Sequence, residues 1–263
     1  MFIHHSKLIN DSDPNSEIIQ NTAILVPVAS YIEPSCEYSL RQLEHDGIKV
    51  YRQYGFSAID QGRCVMAQIA INDGYNHLFW IDSDISFYWR DVYKIINRNR
   101  NNEYPFITGA YSVKGWPTLT TKFFDEDEKI SFGEDNGGLQ HIKWAATGFM
   151  YTHRTVYENI KLQYNLKKYK IWGGQYIVYP WFFPMLLDDQ YVGEDFSFCE
   201  RANHSGIKIF CDTTVELSHI GKYSYGYTYL LRKAPEERIR NIDYYPHEEN
   251  FRALKSNNNE QFN

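Results

Sequence analysis

His77-Leu78-Phe79-Trp80-Ile81-Asp82-Ser83-Asp84 is the stretch on which the fold turns. Its short, mostly apolar run reads as a strand, and it stops at two carboxylates separated by one residue. A strand of this kind carries paired negative charge to the mouth of a sheet. Carboxylates so close repel each other unless a proton or a cation lies between them. A hard divalent cation that bridges to phosphate oxygens is the usual resolution. An Asp-x-Asp triplet alone is common by chance, so its meaning depends on what surrounds it.

Upstream, Ala23-Ile24-Leu25-Val26-Pro27-Val28 is a continuous apolar run, the mark of a strand buried on both faces. Cys36, Leu40 and Leu43 follow at helical spacing, with Gly47 placed to end the helix. Ile48 to Tyr51 reads as a second strand. Ser57-x-x-Asp60 reads as the opening of a second helix through Arg63, Met66 and Ala70, closed by Gly74. Two α/β units therefore precede the strand 77–81. This alternation predicts a parallel, doubly wound α/β half with its ligands at the strand carboxyl ends.

From residue 105 the texture changes to short strands in a mixed or antiparallel region: Phe106-Ile107-Thr108, Leu119 to Phe124, Ile130 to Phe132, Leu139 to Trp144 and Phe149 to Thr152. A helix is expected over Thr155 to Leu162, another over Glu194 to Ser205 closed by Gly206, and a strand over Ile207 to Cys211. Residues 163–193 show no period but are rich in aromatics. They are expected to cover a cleft ahead of Glu194, with Trp181 stacking on a sugar; a hydrophobic plug or a dimer contact is the other reading. No repeat or linker is visible, which favours an arm (1–20), one domain (21–255) and a disordered Asn-rich tail (256–263).

The 263 residues suffice for a sizeable core, and 43% hydrophobic with 23% charged residues reads as a soluble globular chain. A net charge of −6 argues against nucleic-acid binding, because such domains carry basic stripes. A nucleotide ligand remains compatible, since a metal can supply positive charge locally. Cys36, Cys64, Cys199 and Cys211 have no metal-site spacing and read as reduced thiols. The first residues lack a basic stretch leading into an apolar one, and no apolar run reaches the roughly 18 residues of a membrane span. A cytoplasmic location is expected.

Two further motifs carry chemistry. Gly193-Glu194-Asp195 puts two acids in the first turn of a helix, where the dipole favours them. At a cleft rim, either could accept a proton from an incoming hydroxyl. Ser218-His219-Ile220-Gly221-Lys222 offers an imidazole, a close backbone approach and a cation. His219 joined to Asp84 on one ion would make an oxygen and nitrogen shell that suits Mn²⁺ better than Ca²⁺.

This order of motifs resembles GT-A-fold glycosyltransferases, and family-2-like inverting enzymes in particular, over roughly residues 22–222. The resemblance implies a Rossmann-like nucleotide-binding half, a mixed central sheet and an acceptor-binding half. It implies a nucleotide-sugar donor, expected to be a UDP-sugar, a glycan or glycoconjugate acceptor, and Mn²⁺ or Mg²⁺ as cofactor. Asp84 would bind the metal, Asp82 the metal or the ribose, and His219 would be a further ligand. Lys222 would meet the diphosphate. Pro27, Val28 and Ala29 would line the nucleoside pocket. Arg63 matches an Arg on the helix before the Asp-x-Asp strand, although Cys64 and Val65 follow it where Asn is often found. Asp195 would be the catalytic base, Glu194 would hold the acceptor, and Thr147-Gly148-Phe149 would abut both sugars. A haloacid-dehalogenase-like phosphotransferase using Asp82 and Asp84 is the alternative, with Asp188-Asp189 as its late metal-binding pair. Its Asp-x-Asp belongs on the first strand, followed by a pair such as Gly-Thr; here Ile85-Ser86 follows.

Overall fold

The first apolar run is strand β1 (Thr22–Val28), and every one of its residues is buried. A strand with no exposed face must lie inside a sheet covered on both sides. In the computed structural model, which describes residues 18–99, 101–124, 129–226, 229 and 242–244, β1 sits between two parallel partners. These are β2 (Lys49–Tyr54) and β3 (His77–Ile81). The crossovers are α1 (Pro34–His45) and α2 (Ile59–Asn72). Gly47 and Gly74 follow these helices in the left-handed region, as expected. The start of α2 departs from expectation: its N-cap is Ala58 and no side chain caps it, so Ser57-x-x-Asp60 is not a capping box. The buried run Gly62–Gln68 holds this helix to the sheet instead.

After β3 come β4 (Ile85–Ser86) and α3 (Trp89–Arg98), a helix that the sequence reading leaves unmarked. The short strands that follow are β5 (Phe106–Thr108), β6 (Lys122–Phe123), β7 (Ile130–Phe132), β8 (Leu139–Trp144) and β9 (Phe149–His153). The strand expected from Leu119 shrinks to β6, with Leu119 itself in an isolated bridge to Ser112. Helix α4 (Arg154–Gln163) packs next. Later come α5 (Glu194–His204), which Gly206 ends in left-handed backbone, and β14 (Ile209–Asp212).

The main sheet runs β2-β1-β3-β9-β5-β14-β8-β6. Its first three strands are parallel, and β9 is antiparallel to both β3 and β5. The expected α/β class therefore holds, with a parallel half continuing into a mixed sheet. Along β1, Ala23 and Leu25 join the core under α2, α4 and α5, while Ile24 and Val26 join the one under α1 and α3. This alternation is the strand period of two expressed on two buried faces. Because β9 enters antiparallel beside β3, the carbonyl of Gly148, the residue just before it, accepts from the Asp82 N–H at 3.0 Å. That contact brings the start of one strand to the acidic end of the other.

Residues 163–193 are built rather than looped. They form two hairpins, β10 (Tyr169–Ile171) with β11 (Tyr176–Val178), and β12 (Met185–Leu187) with β13 (Gln190–Val192). Between the hairpins, Trp181 and Phe182 are buried. Phe182 stacks on Phe198 at 4.2 Å, and Trp181 Nε1 donates to the Tyr157 carbonyl at 3.1 Å. Trp181 is thus core, which corrects the expectation that it stacks on a sugar; the plug reading is the one observed.

A second, small sheet orders β16 (Ser224–Gly226), β15 (Ser218–Ile220) and β4, and β17 (Ile242–Tyr244) runs parallel to β7. The expected tail and most of the expected arm lie outside the described residues. No described helix is long and apolar enough to cross a membrane. The four cysteines are free and buried.

Candidate active site

Three chain segments converge at the carboxyl end of β3. The first is the Asp82-Ser83-Asp84 turn. The second is Thr147-Gly148, which leads into β9. The third is the start of α5, where Gly193 is the N-cap and Glu194 and Asp195 fill the first turn. Gly148 is required here. A Cβ on it would collide with the Tyr111 hydroxyl, to which the Gly148 N–H donates at 2.9 Å.

Arg63 is the centre of this cluster. It projects from α2, is 3% exposed, and lies over the Trp80 ring at 5.6 Å. Its Nη2 donates to both Asp82 oxygens, at 2.9 and 3.2 Å, and its Nε lies 3.8 Å from Glu194 Oε1. Nε and Nη1 make no hydrogen bond. Burial works against the guanidinium charge, and Asp82, Asp195 and Glu194 more than restore it.

The acids are tuned apart. Burial raises Asp82; Arg63 opposes that rise, while Asp195 and Asp84 add to it. Asp195 is pushed up to about 7, chiefly by burial and by its neighbour Glu194, against the pull of Arg63. Its carboxylate accepts from the Thr147 N–H at 3.3 Å and the Thr147 hydroxyl at 3.4 Å. Burial alone would raise Asp84 too, but hydrogen bonds from His219 and Lys114 draw it down to about 2. A carboxyl near 7 on the same site as Asp84, which is held ionised, has the protonation range of a general base.

His219 Nδ1 lies 3.2 Å from the Ser112 carbonyl, which can only accept, so Nδ1 carries a proton. Nε2 then faces Asp84 Oδ2 at 3.5 Å. An Nδ1–H held by a backbone carbonyl is the outer-shell arrangement that orients metal-ligating histidines, and in the neutral ring it leaves Nε2 as the lone-pair atom that a cation between it and Asp84 would take. Asp84 and His219 therefore fit one divalent cation as two ligands. Among the described residues no group of three His, Cys, Asp or Glu can hold a metal ion. A cation here would take its remaining ligands from a bound anion and water. Lys114 Nζ shares Asp84 Oδ2 at 2.5 Å, its stem lying along Gly221, where a Cβ would come 3.3 Å from Lys114 Cδ.

The other expected residues fall around this centre. Pro27 and Val28 are buried at the end of β1 and Ala29 is exposed just beyond it. The segment leading into α1 is pinned to the acidic turn by the Glu33 N–H, which donates to the Ser83 carbonyl at 2.8 Å. Lys222 is exposed between β15 and β16. Asp188 and Asp189, with φ of 49° and 60°, are the two turn residues of the β12–β13 hairpin and are exposed. Left-handed backbone at both central positions is what a two-residue hairpin turn demands. Sequence reasoning passed over Lys114, Tyr111 and Ser112. A lone lysine before Gly115 has no motif, and it meets Asp84 across 30 residues of chain, a contact that only the fold reveals.

No protein-family model matches the chain, and no curated protein matches it. Among solved structures it is similar to A197 from STIV, with a TM-score of 0.52 and 15% identity over 76% of this chain and 86% of that one. That likeness bears on the fold alone. It is also similar to a glycosyltransferase involved in the glycosylation of the major capsid of PBCV-1 (13% identity, 55% of this chain and 65% of that one, TM-score 0.31). A third is S. aureus TarS 1-349 (10% identity, 78% of this chain and 59% of that one, TM-score 0.39). At these scores neither carries weight for the reading of the site.

Proposed function

We propose that this protein is a glycosyltransferase that moves a sugar from a nucleoside-diphosphate donor, a UDP-sugar in the first instance, to a hydroxyl acceptor with inversion. The observation that carries the reading is the meeting of two acidic centres of different character. One is Asp82 and Asp84 at the end of β3. The other is Asp195, raised to about 7 and hydrogen-bonded to Thr147 beside the same turn. The acceptor hydroxyl attacks the anomeric carbon while its proton passes to an Asp195 oxygen, and the bond to the diphosphate oxygen breaks on the opposite face. Glu194 holds the acceptor side, and the buried Arg63 positions Asp82 and Glu194 by its ion pairs to them.

Mn²⁺ or Mg²⁺ on Asp84 and His219 would neutralise the leaving diphosphate. Lys114 and Lys222 supply further positive charge to it. Pro27, Val28 and Ala29, at the end of β1, would form the wall of the nucleoside pocket, with Ala29 its exposed member. The phosphotransferase reading loses its second metal pair, because hairpin geometry accounts for Asp188 and Asp189.

The test is incubation with a panel of nucleotide sugars and Mn²⁺. Slow donor hydrolysis that Asp195→Asn suppresses by roughly 10²–10⁴-fold, with donor binding intact, is the expected result. Release of phosphate from simple phosphomonoesters, without nucleotide-sugar turnover, would sink the reading. Product stereochemistry by NMR distinguishes inversion from retention.

A further inference from the structure

Beside Asp195 lies a cavity of about 370 Å³, within the range of small-molecule sites. Gly193, Glu194 and Asp195 line it together with Thr118, Thr120 and Lys122, while Val113, Leu119, Ala146 and Phe196 give the remaining wall its apolar surface. These walls are braced. The Phe196 ring stacks on Trp144 at 5.3 Å, and Trp144 Nε1 donates to Glu200 at 2.7 Å. Val113, Thr118, Leu119 and Thr120 belong to a closed turn in which the Val113 N–H donates to the Thr118 carbonyl at 2.8 Å and the Thr120 N–H to the Tyr111 carbonyl at 3.0 Å.

Such a cavity selects its occupant. A polyhydroxylated group placed against Val113, Leu119, Ala146 and Phe196 would give up water without gaining hydrogen-bond partners there, which is costly. An apolar group would displace weakly held water at no such cost. The carboxylates on the other side call for a hydroxyl. An occupant that satisfies both sides is amphipathic.

We propose that the cavity receives an aryl or alkyl substituent of the acceptor, carried next to the hydroxyl that is glycosylated. The acceptor is then an apolar glycoside or a similar amphipathic alcohol, not a bare glycan. This inference rests on the reading of Asp195 as the base, and it narrows the acceptor class within that reading.

The test compares the affinity of the full chain for p-nitrophenyl glycosides of glucose, galactose and mannose with that for the matching methyl glycosides, by calorimetry and saturation-transfer NMR. The aryl glycosides should bind at least about tenfold tighter, since each buried methylene equivalent is worth about fourfold. A series of n-alkyl glucosides from ethyl to hexyl should tighten stepwise until the cavity fills. Leu119→Asp should abolish the aryl preference. If that variant does not fold, Ala146→Leu, which narrows the cavity, should reduce it. Equal affinity of the two classes, no measurable binding of any aryl glycoside, or an aryl preference untouched by both substitutions overturns the proposal. An aryl preference without turnover of any nucleotide sugar supports the cavity assignment and removes the transfer reading. Turnover without aryl preference removes only the cavity assignment.

Discussion

Lys114→Met should change cation binding and nucleotide binding in opposite directions. The methionine keeps the stem lying along Gly221 and deletes the ammonium that shares Asp84 Oδ2 with His219. Lys114 and Asp84 are 37% and 33% exposed, so the pair is solvent-screened and worth up to about 1 kcal/mol. A divalent cation must take Asp84 from that ammonium. Removing the competitor should therefore tighten Mn²⁺ alone by up to about fivefold, measured by calorimetry or by the electron paramagnetic resonance of free Mn²⁺. In EDTA the sign reverses. A nucleoside diphosphate then approaches an uncompensated carboxylate, and two unit charges about 6 Å apart cost about 0.7–3 kcal/mol between water-like screening and a protein-surface dielectric. UDP affinity in EDTA should fall by about threefold or more. Mn²⁺ affinity that stays unchanged, or moves in the same direction as UDP affinity, would refute the idea that Lys114 is the resident counter-ion of Asp84.

Three other outcomes are expected. The Asp195 carboxyl is raised to about 7 in the fold, so between its ordinary value of 3.8 and 7 the folded state holds a proton that the unfolded chain has shed. Stability is then lost as pH rises through that window, and Asp195→Asn should gain stability relative to wild type between pH 5 and pH 8 in denaturant titrations. Some slope will persist, because burial also raises Asp91 to about 7; wild-type kcat/KM should climb towards a limb near pH 7, and equal stability slopes in the two proteins would contradict the assignment. Trp181→Ala should cost about 3–5 kcal/mol of stability by loss of a buried ring, with no specific rise in acceptor KM where the fold persists. Gly148→Ala should destabilise by about 1–3 kcal/mol through its clash with Tyr111, and Tyr111→Phe in the same chain should recover part of the loss; no recovery would place the strain elsewhere.

What could be read from the sequence is what local chemistry encodes. The unbroken apolar runs of β1 and β3 announce strands buried on both faces, and Gly47, Gly74 and Gly206 stand where left-handed backbone ends a helix. Asp82 and Asp84 follow a strand directly, and Glu194 and Asp195 open a helix, so their placement needed no tertiary information. Other features depend on pairing between distant segments. Nothing near Phe149 says that β9 will run antiparallel between β3 and β5, yet this register sets Gly148 against Asp82. The aromatic richness of 163–193 was visible, but composition does not tell a ring that faces solvent from one that plugs a core. The hairpin tip at Asp188-Asp189 lacks the glycine that usually signals such a turn; aspartate reaches left-handed backbone less readily, so the cue was faint.

The balance of charge was hidden for the same reason. The sequence shows Asp82, Asp84, Glu194 and Asp195 as an acidic set in an already acidic chain, which on its face opposes an anionic donor. The fold sets Arg63 against three of these acids and Lys114 against the fourth. With Asp195 raised to about 7, the centre near neutral pH lies between one and two negative charges by formal count. A diphosphate, if the donor carries one as proposed, would have to overcome that excess. In the proposed reading, a divalent cation arriving with it on Asp84 and His219 would reverse the local sign, whereas Lys114 alone can only offset Asp84. The site is thus one in which donor and cation should bind together more tightly than either does alone.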